Sequence, residues 1–287
     1  MTMENSILVR DLCKRFPGFT LDHVSFRVPR GRIVGFIGEN GAGKSTVINL
    51  ILNELKKDGG TVEVLGRDHT DPAVKSGVGV VFDACNFPEV FTPLDVEKVL
   101  SGVYPAWDGE AYRAYLKRFA LTERKRVKTF SKGMKMKLAI SAALAHKPRL
   151  LILDEATAGL DPVVRDEILD ILLDFIQDEE HAVFFSSHIT SDIQKIADYV
   201  VLIHQGKIVF EEEKDVLLDQ YGILRCGKGT EVEAGDCIVR RETGVSTEYL
   251  VRDRAEAGRK YPKAVADAAS LEDIMLFYIK GEASCGE

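Results

Sequence analysis

The most chemically specific segment of the sequence is the glycine-rich run 38–45, GENGAGKS, which fits the pattern G-x-x-x-x-G-K-[ST]. Glycines at these positions let consecutive backbone N–H groups surround phosphate oxygens, and a helix starting near Lys44 would add the positive end of its dipole. In such a loop Lys44 neutralises the β- and γ-phosphates and Ser45 ligates Mg²⁺. A chance match somewhere in the chain has odds of roughly one in a hundred. The residues expected around the nucleotide are Gly38, Asn40, Gly41, Ala42, Gly43, Lys44, Ser45 and Thr46.

Two adjacent carboxylates, Asp154 and Glu155, directly follow the apolar run 150–153. Such a run is typical of a central parallel strand, and open α/β folds bind their ligands at the carboxyl ends of these strands. At that edge Asp154 could hold Mg²⁺, directly or through water, and Glu155 could orient and polarise an attacking water. The alternative is an ordinary acidic helix cap after a core strand, which the phosphate-loop pattern elsewhere in the chain disfavours.

A third segment, 130–134 (FSKGM), begins a helical stretch shortly before the acidic strand. A helix N-terminus at Ser131 would offer N–H groups and a hydroxyl to an anion. The segment resembles the LSGGQ signature of ABC ATPases. Residues 104–108 (YPAWD) followed by this segment resemble the ATPases of ABC-2-type bacterial exporters.

Further motifs of the same family appear in order along the chain. Residues 158–161 (AGLD) resemble the D-loop, and Ser187-His188 resembles the H-loop. Phe16 occupies the position of the aromatic residue that stacks on adenine in the family. The resemblance extends from residue 6 to about residue 210. Taken alone, His188 would more often be a core histidine, and core packing is the less favoured alternative for Phe16.

The resemblance implies an ATPase that uses ATP and Mg²⁺, with Glu155, His188 and Lys44 as its catalytic residues. In the family, the signature helix faces the γ-phosphate held by a second ABC ATPase subunit, so Ser131 and Gly133 are expected to bind nucleotide across a head-to-tail dimer. The dimer forms with an identical or a related subunit and drives a transmembrane permease. The chain is therefore expected at the cytoplasmic face of the cell membrane, held there by its partner.

Two positions depart from the family pattern. Asp83, in VGVVFDACNF, stands where the family usually has Gln. Its carboxylate could ligate Mg²⁺, as Ser45 and Asp154 are expected to do, or it could cap a turn beside a rearranged loop. Lys132 replaces a glycine of the signature and could contact phosphate or solvate the start of the helix.

The elements that must position these residues alternate between apolar strands and helices, which predicts an α/β core with a mainly parallel sheet. The predicted strands are 7–10, 33–37, 78–82, 150–153, 182–186 and 200–204. A helix is predicted over 162–177, with Asp161 as its N-cap. The resulting fold is a P-loop NTPase core with an N-terminal antiparallel β subdomain, a helical insertion and a small C-terminal α+β appendage.

The ABC ATPase domain is expected over 1–210, with its helical insertion at about 84–146, followed by an accessory region over 211–287. Within the insertion, Tyr112, Tyr115, Leu116 and Phe119 form one apparent helical stripe, and the predicted helix breaks are Gly102, Pro105 and Gly109. In the accessory region, 237–241 and 249–252 are predicted to pair as a hairpin around Thr243-Gly244. Residues 270–280 are predicted to form a closing amphipathic helix capped by serine.

Composition sets the outer limits of these hypotheses. The chain has 287 residues, 29% of them charged, and a formal net charge of −7, which counts against a nucleic-acid-binding protein. Its five cysteines are odd in number, so free thiols in a reducing cytosol are expected. No run of about 18 apolar residues occurs, so spanning a membrane would fall to a partner.

Two other classes remain beside the transporter motor. A soluble ABC-type ATPase acting as an assembly scaffold is the alternative, whereas a regulator without turnover is disfavoured by the complete catalytic set. The sequence does not name a cargo. Residues 84–130 are expected to face the permease, with Phe87, Phe91 and Trp107 as candidate exposed aromatic anchors. The alternative is that these side chains fill the insertion's own core, which is the favoured position for Trp107.

Overall fold

The computed structural model describes residues 4–227, 232–242 and 246–281, in which the backbone forms fourteen strands and nine α-helices. The strands are β1 (Asn5–Phe16), β2 (Phe19–Pro29), β3 (Ile33–Ile37), β4 (Gly59–Val64), β5 (Arg67–Asp68), β6 (Val78–Val81), β7 (Leu150–Asp154), β8 (Ala182–Ser187), β9 (Tyr199–His204), β10 (Lys207–Glu213), β11 (Gly222–Cys226), β12 (Val239–Glu242), β13 (Thr247–Val251) and β14 (Val265–Ala268). The helices are α1 (Lys44–Ile51), α2 (Pro93–Leu100), α3 (Gly109–Arg118), α4 (Lys132–Ala145), α5 (Pro162–Phe175), α6 (Thr190–Ile196), α7 (Lys214–Gln220), α8 (Arg254–Lys260) and α9 (Leu271–Lys280). No helix within the described ranges is long and apolar enough to cross a membrane.

The central sheet has six strands in the order β10-β9-β3-β8-β7-β6, and all neighbours are parallel except β10 and β9. β3, β7 and β8 are buried along their whole length, because helices and a second sheet cover both faces. The predicted strand 33–37 coincides with β3, and the predicted strands that became β6, β7, β8 and β9 are each confirmed to within one residue. The predicted strand 7–10 is only the middle of the longer β1.

A four-stranded antiparallel sheet, β2-β1-β4-β5, packs against the central sheet. The aromatic rings of Phe26, Phe36 and Phe184 join the two sheets, with the ring centroids of Phe26 and Phe184 5.3 Å apart. This is the N-terminal β subdomain that the sequence predicts. It holds β3, and therefore the loop that follows β3, between two packed layers.

Local caps fix where the helices of the core begin. Asp161 caps α5, since its carboxylate accepts a hydrogen bond of 3.1 Å from the Val164 amide, as predicted. Helix α1 begins at Lys44, directly after the glycine-rich loop. The loop therefore lies between the buried end of β3 and the N-terminus of a helix.

The helical insertion consists of α2, α3 and α4. On α3, Tyr112 and Leu116 are fully buried, and the Tyr112 hydroxyl donates to the Pro93 carbonyl at 3.0 Å. Phe119 is buried just beyond the helix end, whereas Tyr115 is half-buried at the margin of the predicted stripe. Gly109 is the first residue of α3, so the predicted break lies immediately before it, where Asp108 caps the helix.

The C-terminal region forms a third sheet in the order β12-β13-β11-β14, together with α7, α8 and α9. The pairing of β12 with β13 confirms the predicted hairpin strands; Thr243 and Gly244, at its turn, lie outside the described residues. Helix α9 begins after Ser270, whose side chain forms the predicted cap. Leu271, Ile274 and Phe277 are fully buried in the same hydrophobic core as the ATPase helices.

Candidate active site

The glycine-rich loop is shaped by close approaches that exclude side chains. A Cβ on Gly38 would lie 2.4 Å from the Ile203 carbonyl oxygen, and one on Gly43 would lie 2.8 Å from Leu21 Cδ2. Gly43 also has a φ of 114° and Gly41 a φ of 85°, conformations that L side chains rarely adopt. These glycines turn the backbone sharply into α1, so the loop can wrap a phosphate group as the sequence predicts.

Lys44 lies at the centre of the loop. Its side chain is 6% exposed, and its ammonium group donates to the Gly38 carbonyl at 2.7 Å and to the Glu39 carbonyl at 3.2 Å. It also lies 3.2 Å from Glu155 Oε1. The lysine therefore connects the loop after β3 with the carboxylate after β7.

A cleft runs over this loop and is deep enough for a nucleotide. It comprises a cavity of about 210 Å³ and an adjoining one of about 590 Å³, which share Phe19, Glu39, Asn40 and Gly41. The smaller cavity is lined by Phe19, Glu39, Asn40, Gly41, Gly43, Lys44, Ser45, Thr46 and Glu155. Phosphates at the loop would thus lie next to Glu155.

Asp154 lies at the carboxyl end of β7 and is 8% exposed. Burial raises the pKa of Asp154 above its usual range, against the opposing effect of the nearby Ser45 and Ser186 hydroxyls, and the charges of Glu155 and Asp83 raise it further. Asp154 Oδ1 is nevertheless buried without a hydrogen bond of good geometry. An unpaired carboxylate oxygen beside a serine hydroxyl is a donor set that suits Mg²⁺, so Asp154 and Ser45 are placed to hold the ion together.

Glu155 is held between two cationic or protonatable groups. Its Oε1 faces Lys44, and its Oε2 lies 2.5 Å from His188 Nδ1. Glu155 has a φ of 52°, and its amide donates to the Ser186 carbonyl at 3.0 Å. A non-glycine residue in this region stores strain, which is common at functional sites. The His188 side chain is 43% exposed and therefore faces the cleft rather than the core, which excludes the core-histidine alternative.

Two aromatic residues, Phe16 and Phe19, lie near the glycine-rich loop at the turn between β1 and β2. Phe16 is 37% exposed, which argues against a core role, and its ring lies 6.5 Å from that of Phe19. The Lys14 ammonium group lies 5.6 Å from the Phe16 ring. Phe19, not Phe16, lines both cavities, and it was missed by sequence reasoning. Its signal was only that it is an aromatic residue three positions after Phe16, across the tight turn from β1 to β2.

The signature segment lies apart from this cleft. Ser131 caps α4 by accepting a hydrogen bond of 3.2 Å from the Met134 amide, and it is exposed. Gly133 is buried against α5, where a Cβ would lie 3.2 Å from Val164 Cγ1. Neither residue lines the cavities over the phosphate loop of the same chain. Packing against Val164 alone accounts for the glycine at position 133. The N-terminus of α4 at Ser131 is exposed and could contact an external ligand.

Asp83 follows β6 and is exposed. No hydrogen bond to its carboxylate occurs within residues 4–227, 232–242 and 246–281, so the turn-capping alternative has no support there. Its charge contributes to raising the pKa of Asp154. Asp83 is thus close enough to the Asp154 carboxylate to act on it electrostatically.

Phe87, Phe91 and Trp107 are partly buried, which corrects the prediction that Phe87 and Phe91 are exposed and agrees with Trp107 as part of the insertion's own core. All three pack against the main core, and the Trp107 ring lies 5.1 Å from the Tyr112 ring. Their apolar faces are needed to close the small insertion around its helices. Phe87 also lines a cavity of about 230 Å³ between the insertion and the central sheet, beside Leu100.

Comparison with known proteins identifies relatives of this arrangement. The family model described as ABC transporter matches residues 21–158. The bacitracin transport ATP-binding protein BcrA of Bacillus licheniformis is 33% identical over 214 residues, which cover 73% of this chain and 70% of BcrA. The uncharacterized ABC transporter ATP-binding protein YhcH of Bacillus subtilis is 31% identical and is matched over 96% of both chains.

The lantibiotic transport ATP-binding protein SrtF of Streptococcus pyogenes is 32% identical over 197 residues, covering 68% of this chain and 85% of SrtF. Among solved structures, one titled "Structure of ATP binding subunit of ABC transporter" superposes with a TM-score of 0.68 at 26% identity. The match covers 74% of this chain and 92% of that one.

Proposed function

The chain belongs to the ABC transporter ATP-binding proteins, and we propose that ATP-dependent pairing of two such subunits lets it drive a membrane exporter. It is an ATPase of that family and a transporter subunit. The observation that carries the proposal is the convergence of Lys44, Glu155 and His188 over a glycine-rich loop and beside a buried, unpaired Asp154.

ATP binding uses the loop and Lys44. The phosphates accept hydrogen bonds from the backbone amides between Gly38 and Ser45, and the Lys44 ammonium group exchanges its contact with Glu155 for phosphate oxygens. Ser45 and Asp154 would hold Mg²⁺, with Asp83 as a further candidate ligand, and the ion would neutralise phosphate charge. Phe16 and Phe19 offer flat apolar faces to the adenine ring.

Hydrolysis follows when the Lys44 ammonium group no longer contacts the Glu155 carboxylate. The freed carboxylate accepts a proton from a water as the water oxygen attacks the γ-phosphorus, and the bond from that phosphorus to the bridging oxygen of ADP breaks. His188, which lies 2.5 Å from the other carboxylate oxygen, keeps Glu155 oriented and can donate a hydrogen bond to the γ-phosphate.

Pairing explains where the signature segment lies. Ser131 is an exposed helix N-cap that lines no nucleotide cavity of its own chain. Such a terminus attracts anions, so a second subunit's γ-phosphate is a suitable ligand for Ser131 and for the amides around Gly133. Loss of that phosphate on hydrolysis would remove the contact and separate the subunits.

The membrane partner is proposed to dock on the helical insertion. A cavity of about 230 Å³ there is lined by Phe87, Leu100 and Tyr104, and exposed Val99 and Val103 extend the apolar surface nearby. A transport function is supported by BcrA and SrtF, whose names refer to transport of bacitracin and of a lantibiotic, and export as its direction is part of the proposal. Replacing exposed Val103 with Asp should then weaken co-purification with a membrane permease while leaving basal ATP turnover in place.

The pairing mechanism is tested with Glu155→Gln. This variant keeps the shape of the side chain but removes the charge that accepts the proton, so it should bind ATP, fail to hydrolyse it and accumulate as a dimer in gel filtration. The exposed Glu179→Gln serves as a matched control and should behave as the wild type. A Glu155→Gln variant that stays monomeric with ATP would refute the pairing, and undiminished turnover would refute the role of Glu155.

A further inference from the structure

A buried polar cluster lies behind the active site and has no part in the mechanism above. It consists of Thr157, two residues after Glu155, Arg165 on α5, and Asp192 on α6, four residues after His188. Thr157 is fully buried, and Asp192 is 3% exposed. The cluster thus joins the loop that carries the proposed base to the helix that follows the proposed γ-phosphate sensor.

The contacts within this cluster are long or incomplete. Arg165 Nη1 lies 3.7 Å from Asp192 Oδ1, and Asp192 Oδ2, Arg165 Nε and Thr157 Oγ1 are each buried without a hydrogen bond of good geometry. Burial raises the pKa of Asp192, although the nearby Thr157 hydroxyl and the charge of Arg165 oppose this effect. Three unpaired polar atoms in one place are unusual, because buried polar groups nearly always find partners.

Apolar contacts already hold α6 in place without this cluster. Ile193 and Ile196 are buried, and Ile193 packs so closely on β3 that a Cβ on Gly35 would lie 2.2 Å from Ile193 Cγ2. The helix also packs against α9 of the C-terminal region. A buried carboxylate beside these contacts adds nothing to the packing. It would lower the stability of the fold unless hydrogen-bond partners approach it.

We infer that Asp192 is a positioning residue for ATP hydrolysis, which draws Thr157 and Arg165 together so that the Glu155 loop is set against His188. The inference rests on the proposed role of Glu155 as the base. Closing the gap between Arg165 and Asp192 would shift α5 and α6 towards one another, and the Glu155 backbone lies on the loop that leads into α5. Asp192 touches no reacting atom and acts only through this loop.

The inference is tested with Asp192→Asn, Thr157→Val and the double variant. Each single change should lower kcat by about tenfold or more while leaving the ATP dissociation constant within about twofold, because the phosphate loop is untouched. The double variant should lose no more kcat than the more impaired single variant, since both changes disrupt the same cluster. Thr157→Ser keeps the hydroxyl and should retain turnover.

Ser141→Ala is the matched control, because it removes a buried hydroxyl on α4, outside the cluster, that donates to the Lys137 carbonyl at 2.8 Å. It should lower the thermal midpoint without changing kcat. Unchanged kcat in Asp192→Asn and Thr157→Val, or losses that multiply in the double variant, would overturn the inference. Those results would leave the ATP-bound dimer of Glu155→Gln intact, so a failure here is separable from a failure of the pairing mechanism.

Discussion

Replacing Asp154 with Asn should stabilise the metal-free protein while weakening its Mg²⁺-dependent binding of ATP. The carboxylate is 8% exposed, its Oδ1 has no hydrogen bond of good geometry, and the like charges of Glu155 and Asp83 act on it. Asn keeps the shape of the side chain and removes the buried charge. We therefore expect the Asp154 charge to lower the stability of the metal-free protein, as is common for residues selected for function.

The expected gain is about 1 kcal/mol in the free energy of unfolding, which raises the melting temperature of a chain of this size by roughly 2 °C. Its pH dependence has a definite sign. Burial raises the pKa of folded Asp154 above its ordinary value of 3.8, so the folded protein binds this proton more tightly than the unfolded chain does. The contribution of Asp154 to the free energy of unfolding is therefore most favourable below pH 3.8, where the carboxyl is protonated in both states. This contribution is lost as the pH rises through the pKa of Asp154 in the folded protein.

Melting temperatures of both proteins in EDTA, at pH 5 and pH 8, measure this difference, which should be larger at pH 8. Exposed Asp170 on α5 gives the control, since Asp170→Asn should change stability by no more than about 0.5 kcal/mol. With Mg²⁺ and ATP the order should reverse, because only the wild type retains the charged ligand. If Asp154→Asn melts at a lower temperature than the wild type in EDTA at pH 8, the Asp154 carboxylate has enough hydrogen-bond partners to stabilise its charge. If the wild type and Asp154→Asn bind Mg²⁺-ATP with equal affinity, Asp154 is not a metal ligand.

Three further changes probe other parts of the molecule. Lys44→Ala should weaken ATP binding roughly ten- to hundredfold, as one charge-assisted contact is lost, and unaltered affinity by calorimetry would mean that Lys44 does not touch phosphate. Asp83→Asn should raise ATP affinity in the absence of metal and lower turnover. If the wild type and this variant bind ATP equally without metal, Asp83 does not face the nucleotide. Phe277→Ala should destabilise the chain by about 3–5 kcal/mol, because the ring is fully buried in the ATPase core. A separate melting transition for the C-terminal region would contradict that shared core.

The parts of the site that could be predicted are those specified by short, local patterns. The loop over 38–45, the strand β3 and the pair Asp154-Glu155 each follow from fewer than ten consecutive residues. Strands β11 and β14 escaped prediction, because they have only five and four residues and neither shows a clear alternation of apolar and polar side chains. Their pairing is set by partners distant in the chain. The roles of Phe19 and of Gly133 depend in the same way on what the fold places beside them.

The contact between Lys44 and Glu155 shows why local patterns could not supply the working geometry. Sequence assigns the lysine to phosphate and the glutamate to water, but the structure brings the two within 3.2 Å of each other. ATP must therefore compete with a carboxylate for Lys44, so the affinity lost in Lys44→Ala will be smaller than the intrinsic strength of the phosphate contact. The same competition makes hydrolysis depend on binding, because Glu155 gains a free oxygen only when phosphate has taken the lysine. Glu155→Gln alone should raise ATP affinity by freeing Lys44, and this gain should disappear in a Lys44→Ala background, so the double variant should lose more ATP affinity than the sum of the two single effects.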